Sequence, residues 1–454
     1  MRLEILAFLL VSSISSIVSF SYYVINYYAS RSSKKEKSSE FPPMGYTSND
    51  VTAVIPVRNE NPEKFANSIK AIIFQVSRVI VIGDGVSSPY REICSETGAE
   101  FIALPERSGK RVAMAEGISR VNTPVTLFMD SDATPSSDAV KAVLSDFRSN
   151  VGGVGGNIRM NLDDENPYAY ASEFFERSKE TVQRSMKRFG NVMLIDAAFA
   201  AYRTEIVKDF IMSGEFKNFR INGKIPYYGG GDDAELTSYV IRRGYLSTKS
   251  FEADVVVEPK RDFHSLFSQL KRWSRTSWRS FFKNLRNGTF RKANRFYKIE
   301  QLLTYTLPVL VFSAILFKAA FYFLLLTRIG FRPVEIAMIL MQFPNTRILH
   351  LYNIVSYTST FSSTFFLSTV IGGKTKKKLK LLIYGAGGTF MLFIATITGL
   401  FTYHRISISK KPYFFANIQY CDSAWDRRDC THCGCSHTGQ KQDLFQYYQY
   451  LPAF

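Results

Sequence analysis

The sequence predicts an α/β domain that is inserted between membrane-spanning helices. Strand-like and helix-like patterns alternate between residues 51 and 259, and long apolar runs lie on both sides of this stretch. Clusters of Lys and Arg border the apolar runs and contribute to a net charge of +18, from 57 basic and 39 acidic residues. Hydrophobic residues make up 46% of the 454 residues, which excludes a disordered or collagen-like chain.

Apolar segments at both ends of the α/β stretch predict membrane crossings. Residues 1–30 contain one predicted span and residues 301–373 contain two, because each apolar run suffices to cross about 30 Å of hydrocarbon as a helix. Residues 31–50 are predicted to be a polar linker that opens with the basic run RSSKKEK. Since Lys and Arg stay on the cytosolic side, residues 51–259 are predicted to be cytosolic, and the protein to be a multi-pass protein of the plasma membrane.

A basic stretch and a fourth apolar run surround the two later spans. Between Lys260 and Lys298, 12 basic residues accompany the single acid Asp262, so residues 260–300 are predicted to form basic amphipathic helices on anionic headgroups. Residues 374–411 hold the fourth apolar run, which has basic residues at both ends and a GAGG sequence that weakens a helix. We predict a re-entrant or interfacial element there; a fourth crossing with an external tail is the alternative.

The α/β stretch is predicted to form an open, mostly parallel sheet with helices between its strands. Pro62 marks the start of the first predicted helix, and Asn61 or Asn59 is its predicted cap. The predicted strand segments are Val51–Val57, Val76–Gly85, Phe101–Glu106 and Val125–Pro135. Ligands bind beyond the carboxyl ends of strands in such sheets. The acids at these predicted ends are Asp84, Asp130 and Asp132.

Asp130 and Asp132 are candidates for a cation site. Two carboxylates that leave a strand together suit a hard cation such as Mg²⁺, which takes few carboxylates and adds phosphate oxygens. A solvated turn is the alternative. Asp84 is a candidate to accept hydrogen bonds from a base or ribose, although an Asp before Gly is common in turns. Lys110 is a candidate to contact a diphosphate, and a solvated lysine at a helix start is the alternative.

A second acidic site, Asp232 and Asp233, follows three glycines. One of these carboxylates is a candidate general base against a substrate hydroxyl, while the alternative is that they only cap the following helix. On the basic helix, Arg272 is a candidate to neutralise a diphosphate and Trp273 to stack on a ring. An interfacial anchor is the alternative for this Arg-Trp pair.

Five short motifs occur in a fixed order between Val51 and Trp278: VIPVRNE, GDG, DSD, GDD and QLKRW. In this order they resemble the membrane-embedded family 2 glycosyltransferases, most of all the hyaluronan synthases, with chitin synthases nearby. The resemblance implies a GT-A-like cytosolic catalytic domain between transmembrane helices, a UDP-sugar donor, and Mg²⁺ or Mn²⁺ as the metal.

The resemblance also implies a role for each candidate residue. It implies nucleotide contacts by Asp84, Lys110 and Asp130, and metal binding by Asp132 together with Asp130. It implies base catalysis by Asp233 with Asp232 as its neighbour. It assigns the diphosphate and the acceptor to Gln269, Arg272 and Trp273.

The C-terminal tail, residues 412–454, has two features of its own. Asp422–Arg428 resembles the gating segment of that family, which implies that Trp425, Arg427 and Arg428 contact the nucleotide. Thiols and imidazoles also crowd this tail, and their spacing partly suits zinc, while disulfides and inert thiols remain open. The candidate zinc ligands are Cys421, Cys430, Cys433 and Cys435.

The resemblance implies a processive, inverting transferase that polymerises UDP-sugars, UDP-N-acetylglucosamine among them, and secretes the polysaccharide across the membrane. Expected partners are the donor, the growing polysaccharide and membrane lipids. Nucleic acid is not expected, because the basic residues flank a predicted span. The sequence leaves the oligomeric state open, and its acceptor loop LIDAAFAAYR lacks the Gly and Pro of hyaluronan synthases, which leaves the polymer open. Alternatives are a lipid-acceptor transferase, a chitin-type synthase and a catalytically silent membrane scaffold.

Overall fold

The structure, a computed structural model, describes residues 36–162, 165–220, 230–329 and 378–404, together with positions of an N-terminal helix between residues 14 and 32. The span predicted from about Ile348 to Gly372 lies outside the described residues. So do the gating segment and the Cys-rich tail predicted within residues 412–454.

An eight-stranded sheet forms the centre of the protein, in the order β3-β2-β1-β4-β7-β6-β8-β5. Its strands are β1 (Val51–Val57), β2 (Arg78–Gly83), β3 (Glu100–Ala103), β4 (Val125–Met129), β5 (Thr134–Pro135), β6 (Val151–Met160), β7 (Phe199–Arg203) and β8 (Leu246–Val257). β1 is parallel to β2 and β4, β2 is parallel to β3, and β6 is parallel to β8. β7 lies between β4 and β6 and is antiparallel to both, and β5 is antiparallel to β8.

The prediction of a mostly parallel sheet is correct for six of the eight strands, which run in one direction, and wrong for β7 and β5, which run in the opposite direction. Apolar periodicity identifies a buried strand but carries no information about its direction. The direction of β7 is set by its two neighbours, which come from residues far apart in the sequence. The sheet is therefore mixed, because β7 and β5 run opposite to the strands beside them.

Helices cover both faces of the sheet. They are α1 (Pro62–Ile72), α2 (Tyr90–Thr97), α3 (Lys110–Ser119), α4 (Ala139–Ser145), α5 (Pro167–Phe189), α6 (Thr204–Met212), α7 (Gly214–Lys217), α8 (Asp232–Arg242), α9 (Phe263–Arg286), α10 (Thr289–Lys292), α11 (Arg295–Ile329) and α12 (Lys378–Thr402). Asn61 caps α1, because its side chain accepts hydrogen bonds from the N–H groups of Glu63 and Lys64. Pro62 occupies the first turn, where a missing N–H costs nothing.

Two apolar cores lie on opposite faces of the sheet, because successive side chains of a strand point to opposite sides. In β1, Ile55 joins the core that contains Phe65 of α1. Its neighbour Val54 joins the other core, which contains Ile118 of α3 and Val240 of α8. The carboxyl ends of the parallel strands thus open between the two helical layers.

The region predicted to be re-entrant or interfacial is the single helix α12. Within the described residues, Leu379–Thr402 is the one helix whose length and apolar composition suffice to cross a membrane. The GAGG sequence does not interrupt it; Gly385 and Gly388 instead face Phe174 and Ala171 of α5. Whether α12 is re-entrant or spans the membrane stays a prediction, as does the span within α11.

Candidate active site

Two of the predicted strand-end acids lie at the carboxyl edge of the parallel strands. Asp84 follows β2 and Asp130 follows β4, which is the edge where such sheets bind ligands. The buried Asp84 accepts hydrogen bonds at Oδ1 from the backbone N–H groups of Ser108 (2.6 Å) and Gly109 (2.9 Å). These two bonds fasten the loop that leads into α3, whose first residue is Lys110.

Lys110 connects the two acidic sites that the sequence separates by about a hundred residues. Its Nζ lies 2.7 Å from Asp130 Oδ1 and 3.4 Å from Asp232 Oδ2. Asp232 is the first residue of α8, and Asp233 is the second. The structure therefore brings Lys110, Asp130, Asp232 and Asp233 together at one cavity. Other residues that line this cavity are Pro56, Met114, Ala197, Ala200 and Tyr202.

Gly231 holds the two acids of α8 against α9. Its backbone is left-handed, with φ +93°, and a Cβ there would lie 2.5 Å from Thr276 Cγ2. Only glycine fits such a position without strain. Gly231 also occupies the N-cap position, so neither acid serves as the N-cap residue. Asp233 Oδ1 accepts a hydrogen bond of 2.8 Å from the N–H of Ala234.

The pKa values of Asp233, Asp232 and Lys110 at the cavity are shifted in different directions. Burial and then the charge of Asp232 raise the pKa of Asp233 to about 7. Burial alone would also raise the pKa of Asp232, but Lys110 and Arg111 outweigh it and hold that pKa below its usual value. Burial would lower the pKa of Lys110, and the adjacent Asp130 and Asp232 instead raise it well above its usual range. Asp233 is thus suited to accept a proton near neutral pH.

Asp132 and Asp130 fit a divalent cation. Burial, and then the charges of Asp130 and Glu60, raise the pKa of Asp132 to about 6. A bound cation would relieve this repulsion, and two carboxylates with diphosphate oxygens form a donor set that Mg²⁺ accepts. Within the described residues no group of three or more acids, His or Cys converges on one point.

Comparison with known proteins identifies the α/β part of the chain. The sequence profile of the family described as "Glycosyl transferase family 2" matches residues 52–211. The chain contains a family 2 glycosyltransferase domain. This match covers β1 to α6 and includes Asp84, Lys110, Asp130 and Asp132. The enzyme class expected from the sequence is confirmed.

Curated proteins are similar to this chain at low identity. A Type 2 glycosyltransferase of Pyricularia oryzae is 23% identical over 64% of this chain and 62% of its own length. An N-acetylglucosaminyltransferase of Rhizobium meliloti is 27% identical over 51% of this chain and 56% of its own length. A hyaluronan synthase of Streptococcus pyogenes is 23% identical over 60% of this chain and 67% of its own length. The match thus spans less than two thirds of the fungal and rhizobial proteins.

One solved structure supports the GT-A-like fold. It is a mannosyltransferase of Pyrobaculum calidifontis in complex with GDP-Man and Mn²⁺, 18% identical, with a TM-score of 0.51. The alignment covers 82% of this chain and 99% of the mannosyltransferase. The chitin-synthase relation and embedding in a membrane stay predictions.

The QLKRW motif lies on α9, beside the loop that leads into Asp232 and Asp233. Gln269, Arg272 and Thr276 are spaced by three and four residues, so they share one face of the helix. Thr276 is the residue that meets Gly231, and this contact directs the shared face toward the acids of α8. Trp273 is 37% exposed. None of the three motif residues Gln269, Arg272 and Trp273 lines the cavity itself. The predicted nucleotide residues Trp425, Arg427 and Arg428, and the four candidate zinc ligands, lie outside the described residues.

Sequence reasoning missed a buried ion pair next to the site. Arg111 Nη1 lies 2.7 Å from Glu235 Oε2, and Lys283 of α9 also pairs with Glu235. This pair connects α3, α8 and α9 behind the cavity. The sequence held one indication of this pair. Arg111 follows Lys110 directly, and Glu235 follows Asp232 by one helical turn, so a contact between the first residues of each pair brings the second residues close as well. Both basic residues of α3 therefore pair with acids of α8.

Proposed function

We propose that the protein is an inverting, processive glycosyltransferase that polymerises UDP-sugars, UDP-N-acetylglucosamine among them. The observation that carries this proposal is the convergence of Lys110, Asp130, Asp232 and Asp233 at the carboxyl edge of the parallel strands. The names of the relatives, a hyaluronan synthase and an N-acetylglucosaminyltransferase, support the choice of sugar. That this chain itself makes a polymer belongs to the proposal.

The proposed reaction is a single displacement at the anomeric carbon of the donor. Asp233 takes the proton of the acceptor hydroxyl, whose oxygen forms the new bond to the anomeric carbon. The bond from that carbon to the diphosphate oxygen breaks, and UDP leaves with the electron pair. Since the acceptor attacks opposite the leaving group, the configuration at the anomeric carbon inverts.

Positive charge on the donor side of the cavity would stabilise the leaving UDP. Lys110 already lies between Asp130 and Asp232 and reaches the same edge as the strand ends. Arg272 approaches from the shared face of α9. Asp130 and Asp132 would hold Mg²⁺ or Mn²⁺, which when bound offsets charge on the diphosphate. The mannosyltransferase with the similar fold was solved with Mn²⁺, which supports this assignment.

The proposed cellular setting is a multi-pass membrane protein with a cytosolic catalytic domain, which passes its product through the bilayer. The apolar helix α12 packs directly on α9, which carries QLKRW, so a lipid-compatible element lies next to the acceptor side of the site. The hyaluronan synthase relative supports the same setting. A chitin-type homopolymer remains the second candidate, because the N-acetylglucosaminyltransferase relative has the higher identity of the two named enzymes.

The test incubates the full chain in detergent with Mn²⁺ and UDP-sugars, singly and in pairs, and measures UDP release and product size. A long product that needs two donors supports a hyaluronan-type polymer, and one made from UDP-N-acetylglucosamine alone supports the homopolymer. Products with one added sugar, found on lipid, would contradict processivity. No release of nucleotide with any donor would contradict the proposed function.

A matched pair of variants tests the metal assignment in the same assay. Asp132→Ala should abolish metal-dependent UDP release, because one of two carboxylate ligands is lost. Asp138→Ala removes an exposed acid six residues away and should leave release unchanged. Full turnover by Asp132→Ala would contradict its role as a ligand.

A further inference from the structure

A buried polar cluster holds the segment that leads into the acceptor side of the cavity. The segment is residues 194–196, and the next residue, Ala197, lines the cavity together with Asp233. Side chains from α5, α8 and β8 surround this segment. The chemistry proposed above uses none of them.

Two successive backbone groups of the segment are bound by side chains. The carbonyl of Leu194 accepts a hydrogen bond of 3.0 Å from Gln183 Nε2. The N–H of Ile195 donates a hydrogen bond of 3.0 Å to Thr237 Oγ1. Gln183 and Thr237 are both buried, so no water competes for these bonds.

The third residue, Asp196, is held by two lysines. Its Oδ1 lies 2.7 Å from Lys179 Nζ, and its Oδ2 lies 2.8 Å from Lys249 Nζ. Lys249 also donates to Gln183 Oε1 at 2.8 Å, so the ionic and the backbone contacts form one network. Each of the residues 194, 195 and 196 thus has its own fixed partner.

The burial of these charges indicates a geometric role. Lys249 is 1% exposed and Asp196 is 8% exposed. A buried ion pair stabilises a fold no better than apolar side chains of similar volume, because both ions lose their hydration. What such a network supplies is a fixed position for the atoms that it binds.

Thr237 extends this network to the proposed base. Its hydroxyl donates a hydrogen bond of 2.8 Å to the carbonyl of Asp233, one turn earlier in α8. The same oxygen accepts the N–H of Ile195. A single buried hydroxyl therefore joins the residue of the base to the segment that leads to Ala197 in the cavity lining.

We propose that Thr237 is a positioning residue that fixes the acceptor wall, residues 194–197, relative to Asp233, and so determines whether the donor sugar goes to the acceptor or to water. The inference rests on the proposed function. In hydrolysis, a water oxygen forms the bond to the anomeric carbon, UDP leaves, and Asp233 takes the proton of the water. When residues 194–197 keep a fixed position relative to Asp233, they exclude that water and align the acceptor hydroxyl.

The test compares Thr237→Val, which keeps the shape and loses the hydroxyl, with Thr237→Ser, which keeps the hydroxyl. Tracer-labelled UDP-N-acetylglucosamine is incubated with the full chain, and the ratio of free sugar to polymer-bound sugar is measured. We expect Thr237→Val to raise this ratio on the order of fivefold to tenfold, the equivalent of about one buried hydrogen bond. Thr237→Ser should give the wild-type ratio.

Two further variants separate this role from a general loss of structure. Thr181→Val removes a hydroxyl of α5 whose hydrogen bond goes only to the carbonyl four residues earlier, and it should leave the ratio unchanged. Lys249→Met loosens Asp196 without touching α8, and it should raise the ratio in the same direction as Thr237→Val. An unchanged ratio in folded Lys249→Met would overturn the network role even where Thr237→Val fails to fold.

The outcomes distinguish this inference from the proposed function. No turnover of any nucleotide sugar by the wild type contradicts the proposed function. Turnover by the wild type, with the same product ratio in Thr237→Val, overturns the inference alone. Equal ratios in Thr237→Val and Thr237→Ser also overturn it, because the hydroxyl would then not be the cause.

Discussion

The acid cluster and the helical seam of this protein are built from opposite kinds of contact. The acid cluster is Asp130, Asp132, Asp232 and Asp233 with Lys110, and the seam is the contact of α12 with α9 and α5. In the cluster, charges of like sign lie close together, and the pKa of Asp233 is raised to about 7. In the seam, small and apolar residues pack against each other, with Leu266 and Ala395 fully buried.

Glycine and hydrogen-bonding side chains define the seam in detail. A Cβ at Gly399 would lie 2.7 Å from Ser274 Cβ of α9. The indole N–H of Trp278 donates a hydrogen bond of 2.9 Å to the carbonyl of Thr396. The two helices therefore approach closely, and this contact fixes the helix that carries QLKRW.

The contrast teaches where stability and activity come from in this chain. Burial of like charges opposes folding, so the acid cluster persists because the surrounding structure supports it. Close packing in the seam supplies part of that support. Substitutions in the cluster should therefore alter catalysis more than stability, and substitutions in the seam should alter stability first.

The largest effect that would test this contrast is expected for Asp233→Asn. The amide keeps the volume but cannot take the proton of the acceptor, so transfer should fall by about 10²- to 10⁴-fold. The measurement is UDP release and product formation at saturating donor, with donor affinity followed separately. Donor affinity should stay close to wild type, and the unfolding midpoint should be no lower than that of the wild type.

The control for this variant is Asp209→Asn, which changes an exposed acid of α6. It should retain full transfer. If Asp233→Asn kept its activity, or lost activity only because it unfolded, Asp233 would not be the base.

The pH dependence of the free enzyme should show the cluster's charge directly. Since the pKa of Asp233 is raised to about 7, the ionised base decreases about tenfold per pH unit below that value, and transfer should decrease with it. Stability should change in the opposite sense. The folded pKa lies above the usual value of 3.8, so this group's contribution to stability is present at about pH 4 and is lost as the pH rises through about 7.

The measurements are kcat/KM and the free energy of unfolding between pH 5 and 8, for wild type and Asp233→Asn. The variant should lack the loss of stability that the wild type shows in this window. A wild-type rate that is flat from pH 5 to 8 would contradict both the raised pKa and the role as base.

The acid cluster could be predicted from the sequence, whereas the seam could not. Asp130 and Asp233 each follow a short local signal, a buried strand or a run of glycines, and local signals survive in a single sequence. The GAGG sequence predicted a weakened helix, but Gly385 and Gly388 serve close packing against Phe174 and Ala171. Their partners lie about 200 residues away, so no local pattern could reveal them.

The same reasoning explains why the ion pair that holds the acceptor wall was missed. Lys249 and Asp196 look like solvated surface residues in the sequence, and their ion pair bridges residues 53 apart. The alternation of predicted strands and helices sufficed to predict the fold class. To predict the direction of β7, its pairing with β4 and β6 would have to be known, and apolar periodicity does not encode strand pairing.

The smallest expected effect is a difference in stability between alanine variants of two glycines of α12, which differ in their surroundings. Gly387 has no heavy atom within 4 Å of an added Cβ, whereas the Cβ of an alanine at position 399 would meet Ser274. Both alanine replacements gain the same helix propensity, about 1 kcal/mol. Only Gly399→Ala adds the overpacking cost of about 1–3 kcal/mol.

The measurement is the midpoint of thermal unfolding of the full chain in detergent, together with transfer activity. Gly387→Ala should match or exceed wild type, and Gly399→Ala should unfold earlier. Ser274→Gly removes the atom that the new methyl group meets, so the double variant Gly399→Ala with Ser274→Gly should recover part of the loss. If both single variants unfold together, the seam does not depend on the contact between Gly399 and Ser274. If Gly399→Ala loses transfer while its midpoint is unchanged, the seam acts on catalysis directly, and the division between a catalytic cluster and a stabilising seam does not hold.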